Sequence, residues 1–464
     1  VISRYQTSEM EELWSTRAQY RLWARVETAA AQAQGLDEKA LEVMRTAAVP
    51  TEREVADEEA RTRHDVVAFL NCWRRNIALA AEGRAGGGRA GGGRAGALAL
   101  AAVHRGMTSS DLVDSANAIR WRLAGKLVTR AAWELTGELA RAAMKNRETR
   151  RVARTHGQWA EESTLGHWLA DKALMAERAT QRLARATREV GRVKLSGPVG
   201  DYKRISRGEE LEFAKLLGMR AADSSLQVVS RDLVAEMVWG CEGVAAAAAA
   251  VANEVRLGAQ SGIDEIRENF DQCSQWGSSS MPHKSNPVTA EQMIGLYNIV
   301  KGMGSTVQSG VVLWGERDIS HSSVERVVVP TATTLAQWAA IKCTNLIRQM
   351  GIDKEAMERN LETARNRAEA AAALTWLQDQ GVETETAWRL VRRAVAAAEE
   401  TGEGLKWTLP RTARSAEFSG VGSLERPNWA RMTLQLKPRT GHLWLQIESL
   451  EYRTRTPLSW DTPS

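Results

Sequence analysis

Apolar residues recur at three- and four-residue intervals along most of the chain, and that spacing predicts helix nearly throughout. Residues 7–32 and 53–81 carry the pattern with Glu and Arg between the apolar positions. Longer stretches run over 112–149, 161–192, 231–261, 288–311 and 323–349. Helices of more than about 25 residues rarely stand alone and usually pack into bundles. Thr108-Ser109-Ser110-Asp111 supplies the side chains of a helix N-cap just ahead of the first long stretch. No alternation is strong enough to predict a large sheet. The expected class is all-α. It divides into an N-terminal helical domain over 1–107, a central long-helix domain over 108–350 and a C-terminal domain over 351–464. Shorter helices are expected from 352 to about 400; after that Pro410, Pro427, Pro438, Pro457 and Pro463 interrupt any period.

Two connections, 194–206 and 263–287, are long and irregular, and loops of that size in a compact domain tend to be functional. Residues 277–287 read Gly-Ser-Ser-Ser-Met-Pro-His-Lys-Ser-Asn-Pro. The segment is too polar for a core element and too broken by proline for a helix. Such a loop can close over an anionic ligand. Its serines are candidate bases, Lys284 is a fixed positive charge, and Asn286 and the main-chain N–H groups are donors. The plainer alternative is a polar surface loop with incidental Ser and Lys. Residues 83–96, GRAGGGRAGGGRAG, hold glycine at a density incompatible with helix. They read as a surface loop, or as a flexible RNA-contacting tract. Against RNA, no aromatic residue is interleaved for base stacking.

Composition narrows the chemistry. Of 464 residues, 43% are apolar and 26% charged, ordinary for a soluble globular protein. The net charge of +5 is too small an excess to argue for nucleic acid, but it suits anionic small molecules. Cys72, Cys241, Cys273 and Cys343 lie far apart, without metal-ligand spacing or a disulfide framework, which points to a reducing cytoplasm. The opening residues lack a secretory leader pattern, and no apolar run looks long enough to span a bilayer. The 17 Trp against 4 Phe and 5 Tyr are an unusual balance. There is no Walker-type loop and no glycine-rich turn between strand and helix, so nucleoside triphosphate chemistry and hydride transfer lose support.

The histidines collect in polar, motif-like segments: Thr62-Arg63-His64-Asp65, His104-Arg105-Gly106-Met107-Thr108-Ser109, Arg154-Thr155-His156-Gly157-Gln158 and the stretch from Glu316 to Arg326 that holds His321. No pair has the spacing of a zinc site. With the 277–287 loop, these segments resemble the adenylosuccinate lyase family of the fumarase/aspartase superfamily. The loop is similar to that superfamily's signature G-S-S-x-M-P-x-K-x-N-P at every fixed position. The closer likeness rests on Arg4-Tyr5, on 62–69, 108–111 and 154–158, and on Glu316-Arg317-Asp318-Ile319-Ser320-His321-Ser322-Ser323-Val324-Glu325-Arg326. It covers roughly residues 1–350.

The resemblance implies a β-elimination on a succinylated purine nucleotide, with no metal or organic cofactor. It implies Ser278 as base, His156 as general acid, Glu291 as the carboxylate orienting that histidine, and Lys284, with Asn286, stabilising the dianion formed next to a substrate carboxylate. His64 and His104 match family histidines at the nucleotide end. Arg4, Tyr5, Thr108, Ser109, Gln227, Arg317, Ser322 and Arg326 match substrate-binding positions. Plainer roles stand beside these: Thr108 and Ser109 as a helix cap, Glu291 as a solvated first-turn acid, Gln227 as a surface residue. The family fold implies a central five-helix bundle, a homotetramer with a twenty-helix core, and sites built from three subunits. Argininosuccinate lyase, a carboxymuconate cycloisomerase and a catalytically inert homologue are the alternatives. The chain departs from the family pattern at Arg105 (tyrosine expected), Glu162 (proline) and Gly315 (histidine), and in the 83–96 tract.

Overall fold

The computed structural model describes residues 2–84, 92–269, 275–418, 421 and 441–455. Helix dominates, and the strands are short. Two compact units are built from interleaved segments: Val1–Ala132, Arg178–Ala248 and Gly295–Ile341 form one, and Trp133–Glu177, Ala249–Ile294 and Lys342–Ser464 the other.

In the first unit, α1 (Ser8–Trp14) and α2 (Thr16–Ala33) replace the single helix expected over 7–32. The break falls at Ser15, whose extended backbone lets its hydroxyl cap α2 by accepting from the Ala18 amide at 3.1 Å. After α3 (Glu38–Thr46), the stretch expected over 53–81 likewise divides into α4 (Glu52–Thr62) and α5 (Asp65–Arg84). Arg63, at φ 56°, ends α4 in the left-handed region. Tyr20, Trp23, Phe69 and Trp73 knit α2 to α5, with Trp23 edge-on to Phe69 at 5.2 Å. Two of the many tryptophans, Trp23 and Trp73, thus serve as buried core residues. Helix α6 (Gly92–Ala102) begins inside the glycine tract, contrary to the expectation that the tract excludes helix. Tertiary packing outweighs propensity there: a Cβ on Gly96 would meet that of Ala81 on α5 at 2.6 Å. Residues 85–91 of the tract, and with them the RNA-contacting reading of that stretch, lie outside the described residues.

The long stretches are realised as α7 (Ser109–Lys145), α8 (Leu165–Glu189), α10 (Asp232–Gly258), α11 (Val288–Gln308) and α12 (Ser320–Gln349), with α9 (Arg207–Leu217) between α8 and α10. Within the first unit, Gly125 lets α8 approach α7 closely, since a Cβ there would meet Thr187 Oγ1 at 2.4 Å. The Trp239 indole of α10 donates to the Gly304 carbonyl of α11 at 2.9 Å. Helix α10 is long and apolar enough, by length and composition, to cross a membrane, contrary to the sequence expectation; most of its apolar stretch is buried within the protein, as in a core helix.

The second unit holds an antiparallel hairpin, β1 (Arg150–Thr155) and β2 (Gln158–Thr164), where the apolar spacing predicted helix from 161. Glu162 pairs with Arg150 across the hairpin through two hydrogen bonds of 2.7 and 2.9 Å, which gives the residue standing in place of proline a structural role. Helices α13 (Lys354–Ala368), α14 (Ala370–Asp379), α15 (Thr384–Thr401), α16 (Leu405–Ala413) and α17 (Gly441–Arg455) follow. Pro410 lies inside α16 rather than ending it. A buried cluster that includes Leu377, Leu390, Leu405 and Leu409 joins α14, α15 and α16.

Candidate active site

In the first unit a cavity of about 530 Å³ is lined by His64, Thr108, Ser109, Gln227, Arg317, Ser322 and Arg326, together with several residues the motifs did not single out. Arg4, Tyr5 and His104 do not line it. Tyr5 packs edge-on against Trp338 at 5.2 Å. His104 turns its Nδ1 to the buried Glu27 carboxylate at 2.7 Å, and its amide donates to the same carboxylate at 2.8 Å. Arg105 faces away to Gln34, donating to its side-chain and main-chain oxygens at 3.0 Å each. Gly315 has φ 50°, a conformation that would strain the histidine it replaces.

Local folding explains how the lining residues are aimed. His64 precedes α5, and its Nδ1 accepts from the Val67 amide at 3.4 Å. Asp65 receives Arg326 at 2.7 Å and the Val66 amide at 2.8 Å. Burial opposes the charge of Asp65, but these donors outweigh it and hold its pKa below the ordinary value. Arg317 donates to the Gln227 side chain at 3.3 Å, while its Nε is buried without a hydrogen-bond partner.

Thr108 and Ser109 begin α7, as the cap pattern predicts. The Thr108 amide donates to Asp111 Oδ2 at 2.8 Å, the carboxylate half of a capping box. Asp111 also accepts from Lys194 and from the Ser196 amide (3.1 Å), and it is fully buried with Lys194. Holding such a pair inside is costly unless its hydrogen bonds are complete. Here they are nearly so, since Lys194 also donates to the Gly197 carbonyl at 3.3 Å. The irregular 194–206 connection therefore anchors the start of α7.

Sequence patterns missed a second buried cluster at this cavity. Arg231 grips Asp114 through both terminal nitrogens at 2.7 and 2.8 Å, and its Nε is 3.0 Å from Glu325. His321 lies beside them, with Nδ1 3.0 Å from the Asp318 carbonyl oxygen. Burial, then Arg231, pulls the His321 pKa down to about 4, so its ring is neutral near pH 7. Asp114 lies three residues past Asp111 on the same helix, a spacing that hints at a shared face. Nothing local signals Arg231, which reads as an ordinary solvated residue ahead of a helix.

The second unit carries the other proposed residues. His156 and Gly157, at φ 55° and 74°, form the two-residue turn of the β1–β2 hairpin, between the paired Thr155 and Gln158. Both central residues at positive φ are the mark of a type I′ turn, and a histidine held there is strained. His156 is thus exposed at the tip. Glu265 anchors the hairpin next to its turn, accepting from Arg154 at 2.9 and 3.2 Å, and it also accepts from Asn360 at 2.8 Å.

In the 277–287 loop, the half-buried Ser278 Oγ accepts from the amides of Met281 at 3.1 Å and Ser280 at 3.3 Å. Asn286 Nδ2 donates to the Gly277 carbonyl at 2.8 Å, closing the loop on itself. Glu268 caps α11, accepting from Ala290 at 2.6 Å and Thr289 at 3.2 Å. Lys284 and Glu291 are exposed. Among the described residues of this chain, no hydrogen bond joins Glu291 to His156.

A family model described as lyase matches residues 4–302, and the chain belongs to that lyase family. The likeness sharpens among curated proteins. The chain is 34% identical to the adenylosuccinate lyase of Deinococcus radiodurans over 417 residues, which cover 88% of this chain and 91% of that protein. It is 32% identical to the adenylosuccinate lyase of Thermotoga maritima over 401 residues, covering 85% and 88%. The motif resemblance to the adenylosuccinate lyases of the fumarase/aspartase superfamily is thereby borne out, and the likeness extends past residue 350, where the motifs faded. Among solved structures, the 3-carboxy-cis,cis-muconate lactonizing enzyme of Pseudomonas putida superposes with a TM-score of 0.79 at 21% identity, over 97% of this chain and 98% of that one. A fumarate lyase from Mesorhizobium gives 0.77 at 20% identity. These two likenesses carry the all-α fold and nothing further.

Proposed function

We propose that the chain is an adenylosuccinate lyase, splitting adenylosuccinate into AMP and fumarate, and likewise releasing fumarate from the succinylated aminoimidazole carboxamide ribotide. What carries this assignment is the cationic cavity of Arg317 and Arg326, in a chain that matches adenylosuccinate lyases along most of their length. The substrate bears two carboxylates and a phosphate, and guanidinium groups bind such oxygens through paired donors. His64, Thr108, Ser109, Gln227 and Ser322 of this cavity complete the binding set. Arg4 and Tyr5, assigned to closing over the phosphate, and His104, assigned to the nucleotide end, do not line the cavity and rest on the motif likeness alone.

Ser278 takes the proton from the carbon next to a carboxylate. The electron pair left behind spreads into that carboxylate, and Lys284, Asn286 and loop amides stabilise the dianion. The pair then forms the carbon–carbon double bond of fumarate as the carbon–nitrogen bond breaks. His156, oriented by Glu291, protonates the departing nitrogen. A serine hydroxyl is a poor base near pH 7. The two amides that point at Ser278 Oγ are suited to hold its alkoxide, which makes loop geometry part of the chemistry.

The active form is a homotetramer with a twenty-helix core, each site drawing on three subunits. It acts in the cytoplasm, where the free, buried Cys72, Cys241 and Cys343 stay reduced. The test follows the absorbance of adenylosuccinate and identifies the products. Fumarate and AMP are expected in equal amounts from the purified protein; an unchanged spectrum with correctly folded protein overturns the assignment.

A further inference from the structure

The cavity holds more ionisable groups than the elimination uses. Asp114 of α7, Arg231 just ahead of α10, and His321 and Glu325 of α12 line it, and none is more than 7% exposed. Two carboxylates compete there for one guanidinium. Asp114 takes both terminal nitrogens and accepts the Val229 amide at 2.9 Å as well. Glu325 is left the side edge. Its Oε1 stands 3.0 Å from Arg231 Nε but out of line for a hydrogen bond, and is buried with no hydrogen-bond partner. Its Oε2 is a long 3.5 Å from the nearest terminal nitrogen. A buried carboxylate with an unsatisfied oxygen favours its neutral form. Burial pushes Glu325 up to about 7 against the pull of Arg231, with Asp114 adding to the rise and Arg317 opposing it. His321 is neutral and contributes no compensating charge.

We propose that Glu325 is a specificity-determining residue that keeps its proton when an anionic nucleotide enters the cavity, so that phosphate and carboxylate groups meet no facing negative charge. This rests on the nucleotide assignment above. Near pH 7 the empty cavity holds Glu325 partly ionised. An entering anion is a like charge, which favours the protonated form, so binding draws a proton from solvent. Affinity is then full at low pH and falls as pH rises through the titration of the empty site.

AMP is the probe, titrated by calorimetry into the full-length protein and its Glu325→Gln variant at pH 7.5, in two buffers of different ionisation enthalpy. The wild type is expected to take up about three-quarters of a proton more per AMP than the variant. Its Kd should weaken about fifteenfold more than the variant's between pH 7 and 8.5. The phosphate of AMP titrates below this window and cancels in the comparison. The uncharged amide in the variant leaves the Asp114–Arg231 pair intact. If the variant nonetheless fails to fold, the wild type alone decides, and a Kd that does not change over that window overturns the proposal. Equal proton counts for the two proteins also overturn it, while leaving the nucleotide assignment standing. AMP binding to neither protein overturns both.

Discussion

At Ser278 and at Glu325 the same physics acts in opposite directions. Main-chain N–H groups directed at Ser278 Oγ favour added negative charge, whereas burial without an in-line hydrogen bond disfavours it on Glu325 Oε1 against the pull of Arg231 at 3.0 Å. His321 extends the contrast, because its ring resists protonation down to about pH 4 against 6.5 for a free histidine. Its folded pKa is depressed, so the unfolded chain binds more protons than the folded one between those values. The stability His321 contributes is whole above pH 6.5 and is lost as pH falls toward 4. Glu325 acts in the other sense, since its raised pKa favours the folded state at low pH and loses that contribution as pH rises toward about 7. Substituting His321→Gln should therefore reduce the loss of stability between pH 6.5 and pH 4.5, read as the shift in urea midpoint; an undiminished shift would count against a buried neutral imidazole.

The hairpin β1–β2 shows how an element can be written for one residue. Its strands are short and its turn has only His156 and Gly157, both left-handed. Open space surrounds Gly157, so a methyl group there would meet no atom and would act through backbone strain alone. Gly157→Ala is expected to cost about 1–2 kcal/mol, and to lower kcat more than KM because the imidazole is re-aimed. Equal stability and unchanged kcat would show that the turn does not need its glycine. Apolar spacing predicts helix through residues 161–164 because Leu165 and the apolar residues after it set a helical period that extends back over them. Histidine is not among the residues that announce a two-residue hairpin turn, so the His156-Gly157 turn shows itself only in its left-handed backbone. Similarly, the breaks at Ser15 and Arg63 fall inside apolar periods that continue across them, and only the cap hydrogen bond and the left-handed residue mark them.

For the whole molecule, the proposal of sites shared among subunits has a direct consequence. Ser278→Ala and His156→Ala should each abolish turnover and leave the tetramer intact, as judged by light scattering. Mixing the two inactive proteins, with subunit exchange, should restore a measurable fraction of activity, because some sites then receive an intact serine from one chain and an intact histidine from another. Mixed tetramers that stay inactive would refute the sharing.

Motifs alone singled out the proposed acid, base and lysine, since loop and turn chemistry is local: a serine between glycine and proline-bounded polar residues, a histidine before a turn glycine. Helical class was equally plain, because a 3.6-residue period survives whatever the helices later touch. Other features arise only when distant segments meet. Arg231 chooses Asp114 over Glu325, Lys194 and Asp111 close on each other in the interior, and His104 turns to Glu27. Charge, burial and hydrogen-bond supply in those places are properties of neighbours far along the chain, and one-dimensional spacing carries no record of them.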